Sequence, residues 1–147
     1  MARHDVQKTP ESKEAASRDD ARSSVLYVCI SCRAPGAPRE PRDSRAGSKL
    51  YTELRQAFRD SPLGDQVEVK PTECLSVCPR PCGIALSSSG AWTYLFGDQQ
   101  PGESARDIVA CVSRYLRTAD GFMPRAQRPE SLRASILGRV PPCGEGR

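Results

Sequence analysis

The chain has 147 residues, 37% of them hydrophobic, with a formal net charge of +4 and seven cysteines. That is room for one domain with a genuine core plus loose ends, and no segment approaches the ~18 consecutive apolar residues of a membrane span. The mild basicity is spread over both tails and several loops, and aromatic residues make up only 5%, so no basic stripe interleaved with stacking rings marks a nucleic-acid binder.

Residues 1–24 are charged, poor in hydrophobics and without an apolar signal core, which predicts a disordered tail on a cytoplasmic protein. Residues 25–30 (VLYVCI) form a continuous apolar, β-branched run, as a buried central strand should. It delivers Cys29 at its end and Cys32 just beyond. Residues 33–46 carry Pro35, Pro38 and Pro41 and read as a long loop. Ser48 is placed to cap a helix to about Arg59, with Leu50, Tyr51, Leu54, Ala57 and Phe58 forming one apolar stripe.

Pro62 and Gly64 end that helix. Residues 67–69 read as a short second strand leading to Cys74, Cys78 and Cys82, where Pro79 and Pro81 exclude regular structure. Residues 84–87 and 92–96 (WTYLF) read as a hairpin around Ser88-Ser89-Gly90. A second helix is expected from about Glu103 to Arg117, striped by Ala105, Ile108, Val109, Val112, Tyr115 and Leu116. A short third helix is expected from Pro129 to about Leu137.

The order β-α-β, cysteine loop, β-β-α predicts an α/β protein of thioredoxin-like topology: a four-stranded mixed sheet with helices packed on it. Residues 25–118 would form this domain, 119–142 a C-terminal extension with the short helix, and 143–147 a tail.

The cysteines are the chemistry. Seven thiols cannot all pair within one chain, and in a reducing compartment C-x-x-C patterns more often bind metal or act catalytically than form static disulfides. Cys111 falls on the flank of a helix stripe and reads as a buried hydrophobe; Cys143 lies in a Pro/Gly-rich tail. Cys29, Cys32, Cys74 and Cys78 stand beside strand ends, and three functions compete for them. An iron–sulfur centre needs four thiolates, with Cys29 and Cys32 on one iron of a [2Fe–2S] cluster and Cys74 and Cys78 on the other. Structural zinc takes the same four sulfurs. A dithiol oxidoreductase would use Cys29 and Cys32 alone, yet the helix that would lower their pKa begins well downstream in sequence. Cys82 is a further thiol in range and an alternative ligand. Arg33 and Arg80 flank the group and are candidates to offset thiolate charge. The single histidine, His4, lies in the tail, and no P-loop, GxGxxG or His-based dyad points to an enzyme.

The strings VCISCR (28–33), ECLSVCPRPCGIALSSSGAWTYLFGD (73–98), DGFMPRAQRPESLR (120–133) and RVPP (139–142) resemble the DUF1636 family of predicted metal-binding proteins, itself similar to thioredoxin-like [2Fe–2S] ferredoxins. The resemblance covers about residues 25–142. It implies a [2Fe–2S] cluster on Cys29, Cys32, Cys74 and Cys78, although only two residues separate the first pair where those ferredoxins carry a longer loop. It also implies an electron carrier rather than an enzyme, working with a redox or metal-handling protein partner, as a possible homodimer, without nucleic acid or membrane.

Overall fold

The computed structural model describes residues 23–143; the expected N-terminal tail and His4 lie outside that span, apart from the tail's last two residues, Ser23 and Ser24. Five strands form one sheet in the order β2-β1-β3-β4-β5, where β1 is Ser24–Cys29, β2 Val67–Thr72, β3 Ile84–Ser88, β4 Thr93–Phe96 and β5 Ile136–Val140. β1 and β2 are parallel; every other neighbouring pair is antiparallel. Helix α1 (Ala46–Arg59) is the crossover between the two parallel strands, α2 (Ala105–Arg117) follows β4, and α3 (Ser131–Ala134) is a single turn before β5. No helix among the described residues is long and apolar enough to cross a membrane.

Alternation along β1 decides which face is covered. Leu26 and Val28 are fully buried while Val25 and Tyr27 between them are half-buried. On the covered face Leu26, Val28, Ile84, Leu86, Tyr94 and Phe96 meet Leu50, Leu54 and Phe58 of α1 and Ile108, Val112 and Tyr115 of α2 in one core. Both helix stripes read from the sequence therefore face inward. Tyr94 stacks along Phe96 and stands edge-on to Tyr115, each pair 6.1 Å between ring centroids. Cys111 is buried in the same core beside Met123, at 3.9 Å.

Two details depart from the sequence expectation. The sheet has five strands, because residues 136–140 leave the short helix and pair with β4, Gly138 opposite Leu95. A glycine inside the run weakens any local strand signal, and only the non-local partner makes it a strand. Second, α1 starts two residues before Ser48. Arg45 occupies the N-cap without a side-chain cap bond, while the Ser48 hydroxyl donates to the Arg42 carbonyl at 3.1 Å. What fixes the earlier start is docking: the Gly47 N–H donates to the Cys32 carbonyl at 3.0 Å.

Candidate metal centre

β1 ends between two neighbours. The Cys29 N–H donates to the Gly83 carbonyl on the β3 side at 3.1 Å, and the Ile30 N–H to the Thr72 carbonyl on the β2 side at 2.9 Å. Since β2 and β3 flank β1, the segment joining them, residues 73–83, must cross the end of β1. That segment holds Cys74, Cys78 and Cys82. Topology thus brings all five clustered cysteines to one end of the sheet.

They do not arrive equally. Cys29, Cys32 and Cys82 are buried, at 3%, 5% and 1% exposure, whereas Cys74 and Cys78 are exposed. The three buried thiols are neighbours, Cys32 acting electrostatically on both Cys29 and Cys82, and the Cys29 thiol donates to the Glu73 carbonyl at 3.8 Å. Cys82 comes close because it immediately precedes β3, whose antiparallel register sets Ile84 opposite Val28. Its backbone is fixed by a reciprocal pair with Gln99, 3.2 Å from the Cys82 N–H and 3.1 Å to its carbonyl. Gln99 is itself buried, its amide donating to the Gly97 carbonyl at 2.7 Å and to the Ser135 hydroxyl at 3.0 Å.

The contacts among these thiols shift their ionisation in opposite directions. Cys29 is pushed up, first by its bond with Cys32 and then by burial. At Cys32 the bond from Cys29 lowers the pKa, but the bond with Cys82 and burial outweigh it and the net shift is upward. Cys82 is lowered, because hydrogen bonding from Cys32 overcomes its burial. Of the three buried thiols, Cys82 is the one held below its ordinary value.

The exposed pair differs in placement. The Cys74 sulfur accepts the Ser76 N–H at 3.2 Å, in a turn where Ser76 adopts a left-handed φ of 59°. Cys78 shares with Cys32 the wall of a pocket of about 280 Å³, together with Arg33, Pro79 and Pro81. Val77 anchors the loop between them: it is buried, and a Cβ on Gly83 would fall 2.3 Å from its Cγ2. The two arginines expected to offset thiolate charge are engaged elsewhere. Arg33 donates to the Ala37 carbonyl at 2.7 Å, and Arg80 holds Asp98 through its Nε at 2.8 Å.

The N-terminus of α1 packs on the Cys29–Cys32 turn despite the intervening loop, so closely that a Cβ on Gly47 would lie 2.1 Å from the Cys29 carbonyl oxygen. The long proline-bearing loop between Cys32 and Ala46 concealed this contact in the sequence, and Gly47 within a helix was its one visible trace. Among the described residues no three His, Cys, Asp or Glu side chains are drawn up as a closed metal site. The donor chemistry nevertheless suits a thiophilic centre: three neighbouring buried sulfurs, a fourth on a shared pocket wall, and a fifth at the loop's start.

Over residues 26–142 the chain matches the family described as "Protein of unknown function (DUF1636)". The chain belongs to the DUF1636 family. No curated protein matches it. Among solved structures, this DUF1636 chain is similar to a thioredoxin-like [2Fe–2S] ferredoxin from Aquifex aeolicus, with a TM-score of 0.50 and 21% identity over 86% of this chain and 100% of that one. A cysteine-to-serine variant of the Aquifex aeolicus protein gives a TM-score of 0.51 and 17% identity, over 78% and 98% of the two chains. At such identities the likeness concerns the fold: the DUF1636 chain has the thioredoxin-like fold expected of it, with a fifth strand added.

Proposed function

We propose that this DUF1636 protein binds a [2Fe–2S] cluster through cysteine thiolates and carries single electrons to a protein partner. The observation that supports this best is the group of three buried thiols, Cys29, Cys32 and Cys82, with Cys78 on the pocket wall beside Cys32. These four are the proposed ligands. Cys74, part of the set expected from sequence, turns to the Ser76 amide and stands as the spare. The cluster supplies a one-electron couple whose potential follows from its ligands, their hydrogen bonds and their exposure.

The chain's own residues account for the rest. Ligation needs thiolates, so binding releases protons, including those of Cys29 and Cys32, whose pKa values are raised. The α1 N-terminus, docked through Gly47, brings the positive end of a helix dipole to the Cys29–Cys32 turn, an effect of about 0.3–1 kcal/mol in favour of negative charge. Burial of three sulfurs keeps water from most of the site, while exposed Cys78 leaves one side open to a partner.

Zinc on the same sulfurs is the second reading, favoured by the all-thiolate donor set. Dithiol exchange is disfavoured, because Cys29 and Cys32 are buried and held protonated, and the nucleophile in such chemistry is an exposed thiolate. Anaerobic purification separates the readings. Brown protein with visible absorbance and equal iron and sulfide supports the cluster; colourless protein with one zinc per chain refutes it. Fast alkylation of Cys29 alone near neutral pH, with neither metal present, would favour the dithiol.

A further inference from the structure

At the far end of the sheet from the cysteines, Arg139 on β5 lies over two aromatic rings at once. Its guanidinium carbon is 5.2 Å from the Trp92 ring centroid and 5.0 Å from that of Phe122. The two rings meet edge to face at 5.4 Å. Phe122 and Val140 are the two large hydrophobic residues exposed among the described residues, at 37% and 59%. Phe122 belongs to this spot, under Arg139; Val140 follows Arg139 in the chain but, paired with Thr93 where Arg139 pairs with Tyr94, points to the other face of the sheet.

The surroundings are basic and unmatched. Three ion pairs occur among the described residues, and none involves Arg114, Arg117, Arg125, Arg133 or Arg139. Arg125 and Arg133 donate to carbonyls instead, Arg133 to those of Arg128 at 3.0 Å and Ala126 at 3.3 Å. Arg114 and Arg117 occupy the last turn of α2, which leads into the Phe122 loop. Asp120 is the nearby carboxylate, and it accepts the Phe122 N–H at 3.1 Å. β5 is also an edge strand, with one side unpaired.

We propose that this Trp92–Phe122–Arg139 face, with the edge of β5, is a docking site for an acidic segment of a partner protein. Trp, Phe and Arg clustered together form the composition of interface anchors, and five guanidinium groups without an ion pair call for carboxylates. A lone edge arginine would serve to discourage strand pairing, but that role does not need the exposed Phe122 ring beneath it. A nucleic acid is the poorer fit, since base stacking needs a free ring face and Arg139 occupies those of both Trp92 and Phe122. The site lies a strand's length, about 15 Å, from the cysteines. It therefore does not depend on which metal they hold.

Trp92 is the chain's one tryptophan, so its emission reports on this face alone. Purified full-length protein is titrated with a (Glu-Leu)6 peptide, a (dT)12 oligonucleotide and phosphatidylserine vesicles. The expected result is a saturable change in Trp92 emission with the peptide, weakened by salt and about tenfold or more by Arg139→Ala. Arg125→Glu, which leaves the Arg139–ring contacts in place, should weaken the peptide severalfold without altering the unliganded emission. Circular dichroism and metal content should match wild type in both variants. No response to the peptide, equal affinity in Arg125→Glu, or tighter binding of oligonucleotide or vesicles overturns the proposal.

Discussion

Gly47→Ala is the sharpest test of how the helix and the cysteine turn are joined. The added Cβ would lie 2.1 Å from the Cys29 carbonyl oxygen, 3.1 Å from its carbonyl carbon and 3.2 Å from the Cys32 nitrogen. A carbon–oxygen contact tolerates about 3.3 Å, so roughly 1.2 Å must be found by moving backbone. Both sides are fixed: β1 is a central strand, and α1 is held by Leu50, Leu54 and Phe58 in the core. Overpacking costs about 1–3 kcal/mol, and rigid backbone on both sides puts this site at the upper end. The intrinsic helix preference for alanine returns at most about 1 kcal/mol. The net is a destabilisation of about 2 kcal/mol, which lowers the urea midpoint by about 1 M at an m-value near 2 kcal/mol/M. Gly138→Ala, with nothing within 4 Å of the new Cβ, is the control and should stay within about 0.5 kcal/mol of wild type. In Gly47→Ala the buried pair should also alkylate faster in metal-free protein and retain less iron after desalting. A midpoint equal to or above wild type would refute the docking argument.

Among the proposed ligands, Cys82→Ser should abolish visible absorbance and iron retention, whereas Cys74→Ser should keep both; equal loss in the two variants would return Cys74 to the site. Tyr94→Phe removes the hydroxyl that accepts the buried Met123 N–H at 2.8 Å, and denaturant unfolding should show a loss of about 1–3 kcal/mol. Burial raises Cys111 from 9.0 to about 12, so across that interval the folded state holds a proton that the unfolded chain releases. Stability should therefore fall as pH rises from about 9 toward 12, by at most about 1.4 kcal/mol per pH unit from this residue. Urea titrations of metal-free protein at pH 8 and pH 10.5 should show a shallower decline in Cys111→Ala than in wild type, and an unchanged slope would remove Cys111 as the source.

What the sequence revealed follows from the range of the interactions involved. Both helix stripes were legible because the i, i+3, i+4 pattern is local: Leu50, Leu54 and Phe58, like Ile108, Val112 and Tyr115, all reach the core. The central strand was legible because residues 25–29 are apolar without interruption. β5 was hidden, since Gly138 breaks its pattern and its partner β4 lies far upstream, beyond the whole of α2. The helix start was missed for a similar reason. Ser48 offers a good local cap, yet the bond from Gly47 to the Cys32 carbonyl moves the first turn back.

The candidate site shows the same limit in its chemistry. C-x2-C and C-x3-C spacings drew attention to Cys29, Cys32, Cys74 and Cys78, because spacing is all that a linear chain displays. In the folded chain, position relative to strand register decides which thiols meet. Cys74 lies two residues past the end of β2; its neighbours Glu73 and Leu75 reach Cys29 with their backbone, but its own sulfur is exposed and accepts the Ser76 N–H. Cys82 lies two residues before β3, against the end of a central strand, and is covered by Gln99 on one side and the Cys32 thiol on the other. The segment that crosses from β2 to β3 over β1 meets Cys29 with backbone at its start and buries a thiol only at its end. This makes Cys82 the buried member of the second group, and the Cys82→Ser and Cys74→Ser comparison weighs that topological argument against the spacing one.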